Sequence, residues 1–167
     1  MITQMTLRGN KAQMTLRGNK AQMTQRGNKA QMTQRDNIVK KKQADNFPHK
    51  DITYLVIGVA MRIHRELGPG FLEAVYEEAM ITELEDNNVH YQNQVPIDIY
   101  YKKRKLRKKY RADFVIDGKI LIEMKHNKGL TKLDEMQMIN YLKASCIKVG
   151  LLLNFGTGSL QWKRIIY

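Results

Sequence analysis

Three charged residues in the middle of the chain, Asp113, Glu123 and Lys125, stand inside runs of apolar and β-branched residues where charge is least expected. The stretch from Arg111 to Lys125 brackets the pair Asp117-Gly118 with such runs, the pattern of two antiparallel strands joined by a tight turn. Two close carboxylates repel unless a proton or a cation lies between them, so a divalent metal is the economical reason for Asp113 and Glu123 together. Register decides whether they meet. Side chains alternate along a strand, so a two-residue loop at Asp117-Gly118 would send the two acids to opposite faces. An odd loop, such as three residues with the glycine left-handed, puts Asp113, Glu123 and Lys125 on one face. It also aligns Ala112, Phe114, Ile116, Ile120, Ile122 and Met124 on the other, so the hydrophobic pattern predicts the same loop. Val115 and Leu121 are apolar as well, which allows the sheet to be buried on both sides.

The flanking segments supply the frame that would hold this hairpin. Ile52, Leu55, Val56, Val59, Ile63 and Leu67 recur at three- and four-residue spacing, predicting an amphipathic helix from Asp51, its N-cap, to Leu67. Gly68-Pro69-Gly70 breaks it, and a second helix from Phe71 to about Asp86 turns Leu72, Val75, Tyr76, Ala79 and Met80 inward. Gln94 to Tyr101 reads as a strand, followed by a basic connection and the hairpin from about Lys109 to His126. Thr131 caps a third helix reaching about Ser145. The apolar run Lys148 to Phe155 is a buried strand, and a last strand follows Gly156-Thr157-Gly158. Helices and strands in this mixed order predict one sheet with helices on its faces.

The chain has 167 residues and a formal charge of +13, spread unevenly. Residues 1–50 hold 11 Lys/Arg against 2 acids, and residues 51–167 hold 18 against 14. The basic start is a nine-residue repeat: Met5 to Gln13 recurs as Met14 to Gln22, returns from Met23 to Gln31 and decays at Met32. Few apolar groups recur in it at helical or strand spacing, so residues 1–48 read as a disordered tail and 49–167 as the folded domain. The tail is either an arm that follows phosphates or a tandem expansion without a role. A single cysteine, Cys146, excludes an internal disulfide, and no stretch is long and apolar enough for a bilayer span. Cytoplasm is the expected location, with no membrane partner.

Eight of the ten residues from Lys102 to Arg111 are cations: Lys102, Lys103, Arg104, Lys105, Arg107, Lys108, Lys109 and Arg111. With Tyr100, Tyr101 and Tyr110 beside them they suit a surface that grips a nucleic-acid backbone and stacks a base. The plainer reading is an edge hairpin whose lysines prevent sheet-to-sheet aggregation.

The string from His64 to Ala79, with Gly70, Glu73 and Tyr76, resembles the signature of the GxxExxY protein family, a branch of the PD-(D/E)XK nuclease superfamily. The resemblance extends from about Asp51 to Tyr167 through Gln94-Val95-Pro96, Tyr110-Arg111-Ala112-Asp113, Glu123-Met124-Lys125 and the segment Gln137 to Leu142. It implies an α/β fold of restriction-endonuclease type, an αβββαβ core with an extra N-terminal helix and a C-terminal strand. It further implies an Mg2+-dependent phosphodiesterase, with Mn2+ an acceptable substitute, hydrolysing DNA in preference to RNA. Asp113 and Glu123 would hold the metal, helped by Glu73 from the second helix. Lys125 would orient or help deprotonate the attacking water, and Gln137 would support the site. Glu73, Tyr76 and Glu77 could instead form a structural cluster, and Gln137 could simply hold Tyr141 one turn on. His64 fits an anchor for a turn, and His126 a solvated strand end within reach of phosphate. Cys146 fits small core filler. The competing function is a non-catalytic nucleic-acid-binding protein that retains the fold; a homodimer would suit cutting of two strands.

Overall fold

The computed structural model describes residues 47–167. The nine-residue repeats, and the reading of them as disordered, lie outside the described residues. Helix α1 (Lys50–Leu67) and helix α2 (Glu73–Asp86) precede strands β1 (Tyr91–Tyr101), β2 (Arg104–Ile116) and β3 (Ile120–Lys125). Helix α3 (Lys132–Ser145) and strands β4 (Val149–Asn154) and β5 (Gln161–Ile166) complete the chain. The five strands form one sheet in the order β1-β2-β3-β4-β5, antiparallel except for the parallel pair β3 and β4 that α3 connects. This is the expected αβββαβ core with one helix before it and one strand after it.

Both faces of the sheet are covered. Phe114, Ile116, Ile120, Ile122 and Met124 pack with Val149, Leu151 and Leu153 against α1 and α2, while Leu121 and Leu152 pack on the other side against Met138, Tyr141 and Leu142 of α3. Thr131 caps α3 in a reciprocal box with Asp134, as its sequence suggests. The ends of the first two helices differ from expectation. Helix α1 starts one residue early after a left-handed His49, so Asp51 lies in its first turn rather than at the cap. Helix α2 starts only at Glu73, and Leu72, its N-cap, is 77% exposed instead of inward. Leu55 is also exposed.

The hairpin has the odd loop. Ile116 pairs with Ile120 across Asp117, Gly118 and Lys119, with Asp117 and Gly118 both left-handed. Beyond Phe114 and Ile122 the ladder stops, and there the alternation breaks. Ala112 packs with Leu121 on the α3 side, not with Phe114 as strict alternation requires. The facing strand β1 switches sides at the same level. Gln94 of β1, opposite Asp113, takes a left-handed φ of 51°, so Tyr91 lies toward α1 and α2 while Ile97 lies toward α3. A second correction concerns the basic run. It is not just a connection between strands but the edge hairpin given as the plainer reading: Arg104 to Lys109 form the outer half of β2, paired with β1 around a two-residue turn at Lys102-Lys103. Both turn lysines have positive φ, the geometry that matches strand twist in a tight hairpin.

Candidate active site

Where the β2–β3 ladder ends, the Met124 backbone N–H donates to Asp113 Oδ2 at 2.6 Å in place of a strand partner. Asp113 and Glu123 are both nearly buried, at 9% and 6% exposure. Burial, more than any neighbour, pushes the Asp113 carboxyl above the usual carboxylate range. Burial and then the charge of Asp113 push Glu123 up to about 7, against the opposing pull of Lys125. Lys125 Nζ donates to Glu123 Oε1 at 2.9 Å and to Gln137 Oε1 at 3.1 Å. Burial alone would favour neutral Lys125, but the bond to Glu123 and its charge outweigh it and raise the lysine, which stays an ammonium.

Gln137 joins the strand to α3. Its Nε2 donates to Glu123 Oε1 at 3.0 Å and lies 2.8 Å from the Tyr141 hydroxyl, whose ring stacks on Tyr110 with centroids 4.7 Å apart. Gln137 is therefore bonded to Tyr141, Glu123 and Lys125 at once. The other oxygen, Glu123 Oε2, is buried with no hydrogen-bond partner. A buried carboxylate oxygen left unpaired beside a second acid is costly as it stands and is satisfied by a cation. The donor set, hard oxygen from two carboxylates, fits Mg2+ or Mn2+. Among the described residues no three His, Cys, Asp or Glu side chains converge as a ready metal group.

Glu73 stands on the wall of an open cleft of about 400 Å³ that Ala74, Glu77, Gln94, Arg111 and Asp113 also line. Its Oε2 lies 3.4 Å from His126 Nδ1. Glu77 is held by two consecutive amides, Asn93 and Gln94, which reach one carboxylate because the left-handed Gln94 turns both to the same side. Glu77 and Gln94 lay outside the expected site; Glu77 falls one helical turn after Glu73, the signal that could have included it. Tyr76 proves structural. Its hydroxyl donates to the Gly68 carbonyl at 2.7 Å, accepts from the Phe71 N–H at 3.2 Å, and its ring stacks on Phe155, which fixes the α1–α2 turn under the cleft. Gly70 serves that turn with φ 107°.

The C-terminal end of β3 is pinned by β4. Phe155 N–H donates to the Lys125 carbonyl at 2.7 Å, and the fully buried Asn154 bonds both the N–H and the carbonyl of Asn127. Asn154 was not singled out in the sequence, although one amide at the end of an apolar run marks such a clamp. His64 anchors the same region through Nε2, which donates to the Thr157 carbonyl at 2.8 Å.

The eight cations of the run are not equivalent. Lys105 and Lys109 both bind Asp98, Lys102 lies over the Tyr101 ring, and Lys103, Arg104, Arg107 and Lys108 are exposed along the outer hairpin. Only Arg111 lines the carboxylate cleft.

A mixed sheet in this order, with two helices on one face and one on the other, is a restriction-endonuclease-like fold. The family model of the PD-(D/E)XK nuclease superfamily matches residues 50–165, and the chain belongs to that superfamily. Its members are typically hydrolytic nucleases that use divalent metals. No curated protein matches the chain. The crystal structure of SSO0001 is similar over 56% of this chain and 49% of its own, with 24% identity and a TM-score of 0.44, so the chain spans about half the length of that protein. No described helix is long and apolar enough to cross a membrane.

Proposed function

We propose that this chain is a metal-dependent nuclease of the GxxExxY branch that hydrolyses phosphodiester bonds in DNA through residues of its domain 49–167. The observation that carries the reading is the buried pair Asp113 and Glu123, with Glu123 Oε2 unpaired and Lys125 bonded to the other oxygen. Asp113 and Glu123 would hold Mg2+, or Mn2+ in its place, and the bound ion would supply Lewis acidity toward the phosphate and an acidified water. Lys125 Nζ is held between Glu123 and Gln137. It acts as a fixed donor that orients the nucleophile and offsets charge on the phosphate oxygens, while Gln137 fixes the Lys125 and Glu123 side chains. Glu73, across the cleft, would order water at its rim. The outer hairpin supplies sequence-independent backbone contacts.

The test is cleavage of single-stranded, duplex and branched DNA and RNA with Mg2+ or Mn2+, beside Glu123→Ala. Metal-dependent cleavage lost in the variant is the expected result. Salt-sensitive binding without cleavage would support the non-catalytic reading instead.

A further inference from the structure

Several cations of the described residues are committed to acids of the chain. Lys125 is held by Glu123 and Gln137, and Lys105 and Lys109 by Asp98. Arg111 differs. It lines the same wall as Asp113, Glu73 and Glu77, is exposed, and its guanidinium has no hydrogen bond or ion pair to another described residue. Its cross-strand neighbour is Pro96, which offers the guanidinium no polar partner. Asn93 and Gln94 meanwhile occupy Glu77, which removes the acid that could most readily turn toward it. The result is a planar fork of donors on a cleft that also holds the buried Asp113 carboxylate.

An arginine beside three acids that pairs with none of them suits an anion brought in from outside. A phosphodiester has two nonbridging oxygens, and a site that holds one on the carboxylate side still needs a donor for the other. Guanidinium is weakly hydrated and matches phosphate geometry with paired N–H donors, which an ammonium does not.

We propose that Arg111 is a catalytic residue: its guanidinium takes a nonbridging oxygen of the scissile phosphate, a role distinct from the backbone contacts of the outer hairpin and resting on the nuclease reading above. As the water oxygen bonds to phosphorus and the ester P–O bond breaks, Arg111 stabilises the charge that builds on the nonbridging oxygens. The water's proton passes to solvent in the cleft, and the departing oxygen takes one up from it.

The experiment is single-turnover cleavage and equilibrium binding by the full chain, comparing wild type with Arg111→Ala, Arg111→Lys and Lys103→Ala. Binding is read with Ca2+ in place of Mg2+. For Arg111→Ala the saturating rate should fall roughly 10²-fold, with affinity changed by less than about threefold. Arg111→Lys should recover only part of that rate, and Lys103→Ala should show its loss in affinity. Arg111 is exposed, so the melting temperature of its variants should match wild type. A saturating rate unchanged in Arg111→Ala, or a loss explained by weaker binding alone, overturns the assignment while leaving the nuclease reading intact. Wild-type protein that binds but never cleaves overturns the nuclease reading, and this role with it.

Discussion

Glu123 sets the electrostatics of the site, because burial and Asp113 raise its carboxyl to about 7 while Lys125 pulls it down. In the unfolded chain it titrates near 4.5. A carboxyl that binds its proton more tightly when folded stabilises the fold fully below its unfolded value and loses that contribution as pH rises through about 7. Asp113 shifts in the same direction. Metal-free wild type should therefore lose melting temperature between about pH 5 and about pH 8 relative to Glu123→Gln. Mg2+ at the upper pH should restore it in wild type and not in the variant. Thermal melts in chelator across that range check this, and a Glu123→Gln profile parallel to wild type would contradict it. Gln137→Ala removes the amide that fixes both Lys125 and Glu123 and should lower the saturating rate about tenfold or more without weakening nucleic-acid binding. Rate and affinity measured on the same preparation separate the two. Asp113, Glu123 and Lys125 were legible because charge stood out against an apolar strand pattern, whereas Gln137 came only through the family resemblance. The pairing of Glu77 with Asn93 and Gln94 was not legible, since it depends on a left-handed residue inside a strand that β-propensity does not announce.

The elements converge on the end of β3. Gly156 passes so close to the backbone of His126 and Asn127 that an added methyl would collide with it, and no flexible side chain is there to yield. Gly156→Ala should cost about 1–3 kcal/mol of stability. Because it displaces the strand that carries Lys125, activity should fall even below the melting transition. Tyr76→Phe loses the hydroxyl that closes the α1–α2 turn and should cost about 1 kcal/mol, with the ring stack on Phe155 retained. Denaturant titration of both variants tests these values. Element order and hairpin loop could be read from periodicity and from the parity of the alternating pattern. For the outer half of β2 the crowded cations argue against a strand locally, and only the edge-hairpin reading anticipated it; pairing with β1 together with the Asp98 bridges overrides that preference. Ala112 failed for a related reason. Alternation is a rule for an unbroken ladder, and the ladder stops at Phe114.

At the scale of the whole molecule, charge is segregated between an acidic cleft and a basic arm, both carried on one pair of strands. The arm's cations divide into two groups. Lys105 and Lys109 are tied to Asp98, which hydrogen bonds to Lys105 and then Lys109 hold below the usual carboxylate range. Lys103, Arg104, Arg107 and Lys108 face solvent. Each cation that neutralises a phosphate releases counterions, so it adds to the slope of log affinity against log salt, by about 0.7 on a single strand and about 0.9 on a duplex. A lysine that must first leave Asp98 contributes less, because part of its attraction to phosphate replaces an attraction it already had. Replacing Lys103, Arg104 and Lys108 by alanine should therefore reduce the salt slope more than replacing Lys105 and Lys109 does per charge removed. Asp98→Asn should strengthen binding, since it frees both lysines and removes an anion from the arm. Affinities at several salt concentrations for these variants decide it. If Asp98→Asn weakens binding, the acid is needed to hold the arm in shape, and the free cations alone do not account for how the protein grips a backbone.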